Sequence, residues 1–256
     1  MPTSIMIDAG HGGANPGAVY NGRLEKDDNL RLALAVGEIL QNSGLDVLYT
    51  RTTDMNVPLL ERANMANQSG VDYFVSIHRN SYPVDNEVNG ILSLVYRLAG
   101  VPLEMAENIN AELENVGFVN LGIDARPNLV VLRRTAMPAV LVEAGFINSD
   151  IDNQLFDNNF NAVAQAIANG ILVTVSGQDP VPATIYSVQV GLFRNPEYAT
   201  RLMNELTDQG FPAYIDDYSE FIRVKVGEFG TLDEATAMER RLKQAGYQTL
   251  VVSHTV

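Results

Sequence analysis

The chain has 256 residues, 46% hydrophobic and 19% charged, the profile of a folded protein of one or two domains and not of a disordered one. Its formal charge is −14, from 31 acidic and 17 basic residues, and neither side of residue 176 is basic, which argues against nucleic acid as a partner. With no cysteine, disulfides, thiolate metal sites and cysteine nucleophiles are excluded, so any metal must be held by His, Asp or Glu.

The N-terminal MPTSIMIDAGHGG runs straight into a strand-like segment, with no basic region or apolar core of a signal peptide, and no stretch reads as a membrane span. Apolar runs bounded by turn residues predict buried strands at Ser4–Asp8, Leu45–Thr50, Tyr73–His78, Ile91–Tyr96, Leu129–Leu132 and Ala139–Glu143. Helical spacing predicts helices over Asn29–Ser43, Leu59–Ser69, Pro102–Val116 and Gln154–Val175. This alternation implies an α/β fold, a twisted, mostly parallel sheet with helices on both faces.

The segment SGQDPVPAT carries two prolines and a glycine and reads as a linker, which divides the chain into 1–176, a linker at 177–184, and 185–256. Beyond it, VQVGLF at 188–193 recurs as VKVGEF at 224–229, a repeat of 36 residues in which Ala199 matches Ala235. Each half reads strand, helix, strand. The tail is therefore expected to be a small α+β domain of βαββαβ type with one helical face.

Three histidines are present, and His11 and His78 each follow a predicted strand, where open α/β sheets place their ligand sites. His11 lies among glycines that permit sharp turns, and by itself reads more often as a loop residue than as a ligand. Glu25 precedes a helix whose first turn holds Asp27 and Asp28, so its simplest reading is a solvated carboxylate favoured by the helix dipole. Glu143 follows four apolar residues in AVLVEAGF, and a buried carboxylate needs a partner; a metal-bound water is one.

The phrases DAGHGGANPGA, LEKDDNL, RTTDMNVPLLERANMAN, VSIHRNS and MPAVLVEAGFINSDIDN occur in this order, and together they resemble the type-3 family of zinc-dependent N-acetylmuramoyl-L-alanine amidases. The resemblance covers about residues 4–174. It implies one zinc ion held by His11, Glu25 and His78, with Glu143 as the catalytic glutamate, and a cut between N-acetylmuramic acid and the L-alanine of the peptidoglycan stem peptide. A His₂Glu set leaves one tetrahedral position open for water, whose pKa zinc lowers from about 15.7 toward about 7.

Ala9 and Arg79 depart from the family pattern. Arg79 reads chiefly as an outward-facing surface residue, with contact to substrate as the functional alternative; Asn80, Arg51 and Arg62 are read first as fixing loops around the site, with Asn80 a second substrate-binding candidate. A site-blocking helix, carried by some members, has little room between His78 and Ile91.

The tail resembles a second family, the SPOR domains, through YSVQVGLF, EYATRLMNEL and FIRVKVGEF. That resemblance implies binding to peptidoglycan strands stripped of stem peptides, and points to Gln189, Arg223 and Lys225, beside Tyr186 and Phe221, as glycan contacts. His254 falls outside every motif and reads as a surface residue. The expectation is a wall hydrolase of the autolysin or endolysin kind, reaching its substrate by cell lysis or another non-signal route. A zinc peptidase or carboxypeptidase acting on another wall amide, or a non-catalytic peptidoglycan-binding protein, is the alternative.

Overall fold

The computed structural model describes residues 2–176, 184–218 and 221–255. It divides into two compact units, Met1–Val181 and Pro182–Val256. The expected linker at 177–184 falls almost wholly outside the described residues, as does the side chain of His254.

The first unit is built on a six-stranded sheet. In chain order its elements are β1 (Ser4–Ala9), the short hairpin β2 (Val19–Tyr20) and β3 (Arg23–Leu24), α1 (Glu25–Asn42), β4 (Asp46–Tyr49), α2 (Leu59–Ser69), β5 (Tyr73–Asn80), β6 (Ile91–Val95), α3 (Val101–Val116), β7 (Asn120–Ala125), α4 (Val130–Arg133), β8 (Ala139–Phe146), α5 (Asp150–Asn158) and α6 (Phe160–Ser176). The sheet order is β4-β1-β5-β8-β6-β7; β4, β1, β5 and β8 run parallel, while β6 pairs antiparallel with β8 and parallel with β7.

Side chains alternate across the sheet, and the two faces have separate cores. Ile5, Ile7, Val75, Ile77, Val140 and Val142 pack with α1, α3 and α6 on one face. Met6, Phe74 and Leu141 pack on the other with Ala66 of α2 and Val131 and Leu132 of α4. Continuing that second alternation toward the C-terminal ends of the strands brings out Asp8, Ser76, His78 and Glu143 in turn. The apolar core of this face thus gives way to a polar patch at the parallel strand ends, where ligand sites of open sheets form.

Two sequence expectations are corrected. Leu129–Leu132 is not a strand: a turn closes from Leu129 N to Arg126 O at 3.1 Å, and α4 follows as a single helical turn. Four apolar residues are too few to separate the two periodicities, and burial of Val131 and Leu132 under α2 decides the outcome. The expected helix Gln154–Val175 is two helices parted at Asn159, and the first begins earlier because Ser149 Oγ caps it by accepting from Asp152 N at 3.2 Å. The hairpin β2–β3 and strand β7 have no counterpart in the sequence reading.

The second unit contains β9 (Thr184–Phe193), α7 (Pro196–Asp208), β10 (Ala213–Tyr218), β11 (Phe221–Phe229), α8 (Leu232–Gln244) and β12 (Leu250–Thr255). This is the βαββαβ order the repeat implies, and its antiparallel sheet is ordered β10-β11-β9-β12. Ala199, Leu206 and Leu242 of the two helices meet Val188, Val224 and Val226 in one core on one face of the sheet.

Candidate metal centre

Three chain segments converge at the strand ends. His11 follows β1 in a left-handed turn with φ of 60°, a conformation few non-glycine residues adopt, and its surroundings hold it there. Arg62 Nη2 donates to the His11 carbonyl at 2.6 Å and Arg62 Nη1 to the buried Asp8 Oδ1 at 2.6 Å, while Arg51 donates to the carbonyls of Ala9 and Gly10, each at 2.9 Å. Both arginines fix the loop that carries His11. Asp8 also accepts from Thr50 Oγ1 and Ser76 Oγ, so this buried charge is fully engaged.

Glu25 is the first residue of α1 and is buried, not solvated as its helix-end position suggests. Its Oε2 lies 3.1 Å from His11 Nε2 and its Oε1 2.9 Å from His78 Nδ1. Burial acts to raise its pKa, but the hydrogen bonds with His11 and His78 outweigh that and hold the carboxyl well below its ordinary range. Two asparagines that sequence reasoning passed over complete the arrangement. Asn29, one helical turn on from Glu25, donates to Glu25 Oε1 at 3.1 Å, and Asn15 Oδ1 lies 3.1 Å from His11 Nδ1. With Nδ1 so engaged, His11 Nε2 is left to face the site.

Two glycines make room for this convergence. A Cβ on Gly10 would collide with the His78 ring, and one on Gly17, at φ of 69°, would meet Glu25 Oε2 and, at 2.7 Å, His11 Cδ2. One ligand atom from each of His11, Glu25 and His78 can be chosen so that all lie within 4.8 Å of one another. With bonds of about 2.0–2.1 Å the edge of a zinc tetrahedron is roughly 3.4 Å, so the set can close on one ion.

Glu143 is the register partner of His78 on the adjacent strand. Its Oε2 is buried and has no hydrogen-bond partner among the described residues. Burial pushes this carboxyl up to about 7. Beside the histidines lies a cleft of about 390 Å³ walled by Val57, Pro58, Leu59, Leu129 and Val130.

Arg79 does not behave as expected. It is 2% exposed, with Nη1 donating to Asp28 Oδ2 and Nη2 to Asn153 Oδ1, both at 2.8 Å, and its guanidinium lies 4.1 Å from the centroid of the Phe156 ring. It is neither a surface arginine nor a substrate contact, since its donors are spent tying β5 to α1 and α5. Even beside Asp28, burial draws its pKa down to about 10. Asn80 Oδ1 accepts from Ser81 N at 2.8 Å, and residues 81–90 form no helix. That loop is held instead by Asn148, which bonds the backbone of Tyr82 in both directions.

In the second unit, Gln189, Arg223 and Lys225 share the sheet face opposite the core. Lys225 is corrected as a free glycan donor: it is buried and paired with Asp216 at 2.5 Å. Arg223 stands directly across from Asp216 on β10, and Phe221 lies beneath the Arg194 guanidinium. Tyr186 falls on the core side by alternation with Val188.

An α/β sheet with two imidazoles, a carboxylate and a second carboxylate at its strand ends presents a donor set of the kind that metal-dependent hydrolases use. The family profile described as N-acetylmuramoyl-L-alanine amidase matches residues 5–173, and that of the SPOR domain matches 182–253. The chain belongs to the N-acetylmuramoyl-L-alanine amidase family: it is a hydrolase of a peptidoglycan amide bond joined to a SPOR domain.

Among its relatives, the sporulation-specific N-acetylmuramoyl-L-alanine amidase of Bacillus subtilis strain 168 is 37% identical over 217 residues, covering 82% of this chain and 83% of that one. The endolysin of Bacillus phage SPP1 is 34% identical over 183 residues, 67% of this chain and 65% of its own. The catalytic domain of CwlV, an amidase from Bacillus (Paenibacillus) polymyxa, superposes with a TM-score of 0.63 at 35% identity, over 69% of this chain and 99% of that structure. An N-acetylmuramoyl-L-alanine amidase from Clostridium difficile 630 gives 0.65 at 30%, over 69% and 98%. No helix among the described residues is long and apolar enough to cross a membrane.

Proposed function

We propose that this amidase holds one zinc ion with His11, Glu25 and His78 and uses Glu143 as the general acid/base to cut between the lactyl group of N-acetylmuramic acid and the L-alanine of the stem peptide. The observation that carries this reading is Glu143 Oε2, a buried carboxylate oxygen without a partner beside the histidine cluster. Leaving such an atom unpaired is costly, and a reacting water is a partner that compensates it. Bound by this donor set, zinc would polarise the scissile carbonyl and make a water acidic near neutral pH.

The chain's own groups have distinct tasks. Glu143 takes the proton of the attacking water and returns it to the departing L-alanine amine, a role typically contributing about 10²–10⁴-fold. Glu25 stays anionic under its two histidine contacts and supplies the negative charge of the ligand set. Asn15 and Asn29 hold His11 and Glu25 in orientation. Asn80, whose amide nitrogen has no hydrogen-bond partner among the described residues, is a donor toward substrate.

The SPOR domain keeps the enzyme on partly digested wall by binding glycan stripped of its stem peptides, through Gln189 and Arg223 on the sheet face opposite its core. Product mass analysis tests the reaction. Wall digests should release peptides beginning with a free L-alanine, release should stop on chelation, and zinc should restore it. Peptides cut at any other bond would assign the site to a zinc peptidase.

A further inference from the structure

At the opposite end of β8 from Glu143 lies a second groove, of about 510 Å³, within the range of about 300–1,000 Å³ common for ligand pockets. Arg97 and Arg133 line it, over a floor that includes Tyr96, Val101, Pro102 and Met137.

The cations of the catalytic unit single this groove out. Ten basic residues precede residue 177. Arg23, Lys26, Arg62, Arg79 and Arg126 are in ion pairs. Arg51 is spent on backbone carbonyls, and Arg31 lies 3.6 Å from the centroid of the Phe160 ring. Arg97, Arg133 and Arg134 remain, with no acidic partner among the described residues, and all three are exposed. Two line the groove and the third follows directly in the chain. In a protein of charge −14, two of the unit's exposed cations without an acidic partner thus line one groove, while Arg31, another, lies over the Phe160 ring. The acids nearest in sequence to Arg97 and Arg133 are Glu104, in the first turn of α3, and Asp124, which already faces Arg126.

The groove and the catalytic cleft lie on either side of α4. Leu129, Val130 and Val131 line the catalytic cleft, and the next two residues of α4, Leu132 and Arg133, line the groove. From Glu143 back to Ala139, which lines the groove, is four strand residues, about 13 Å at 3.3 Å per residue. An extended peptide of four residues spans the same length.

We propose that this groove holds the far, carboxylate-bearing end of the stem peptide whose first amide lies at Glu143. The inference rests on the amidase reading above. Arginines paired with carboxylates give charge-assisted bonds, and the apolar floor suits peptide side chains, which a bare phosphodiester polymer lacks.

Steady-state kinetics on two soluble substrates tests it: a muramoyl dipeptide and a muramoyl tetrapeptide bearing its free carboxylates. In the wild type the tetrapeptide should show a KM at least about tenfold lower, and Arg97→Ala/Arg133→Ala should remove that advantage while leaving kcat and the dipeptide KM in place. Arg97→Gln alone, the milder change, should remove part of it. Stem length or arginine removal leaving KM unchanged overturns the proposal while leaving the amidase reading intact; failure to cut either substrate overturns the reading itself. Equal inhibition by a free tetrapeptide and a glycerol-phosphate oligomer of matched charge would also overturn it, because the groove would then accept any polyanion.

Discussion

His78 and Glu143 are Cα partners on the neighbouring parallel strands β5 and β8, so their side chains leave the same face of the sheet about 4.8 Å apart in strand spacing. One is a ligand candidate held against Glu25, and the other is a carboxylate with an unpartnered buried oxygen. The sheet itself sets this relation, because a shift of one residue in register would send either side chain to the opposite face.

The pairing makes the metal-free protein pH-sensitive. Burial raises Glu143 to about 7 in the folded state, against 4.5 for the ordinary group. Between those values the folded chain keeps a proton that the unfolded chain releases, so the stability from this group is complete below about pH 4.5 and is lost as pH rises through about 7. Glu143→Gln should therefore stabilise metal-free protein at pH 8 by on the order of 1–3 kcal/mol, read as a higher melting temperature, and change its stability little at pH 4.5. Equal effects at both pH values would contradict this.

The orientation of His11 depends on Asn15. Asn15→Ala frees Nδ1, and zinc affinity should fall about 10–100-fold while the far-ultraviolet circular dichroism stays the same. Competition against a chromogenic chelator measures it. An unchanged affinity would mean that the loop, and not this bond, orients the ring.

Removal of residues 185–256 should slow digestion of intact walls far more than that of soluble muropeptides, because a second binding site raises the local concentration of the catalytic one on its polymer. The remaining unit keeps both of its cores. Equal losses on both substrates would argue against targeting by the SPOR domain.

Much of this arrangement is legible in the sequence because apolar runs mark strands and the two histidines and Glu143 stand at or near the ends of such runs. The repeat of VQVGLF as VKVGEF likewise announces the second domain. What is not legible depends on tertiary partners. Arg79 looks like a surface cation until Asp28, Asn153 and Phe156, from two helices, are seen around it. Lys225 is withdrawn from glycan contact by Asp216, a neighbour made only by strand pairing. Asn29 did carry a signal, its spacing of four from Glu25 on one helix face, whereas Asn15 reaches His11 through a turn that no periodicity marks. The single turn at 130–133 is a strand by composition and a helix by packing.

The most direct test of the whole account is zinc content and turnover measured together on Glu143→Ala. One zinc ion per chain is expected, as in the wild type, with wall hydrolysis reduced by at least about 100-fold. Full zinc occupancy with hydrolysis near the wild-type rate would contradict it, because the proton transfer assigned to Glu143 would then belong to another group.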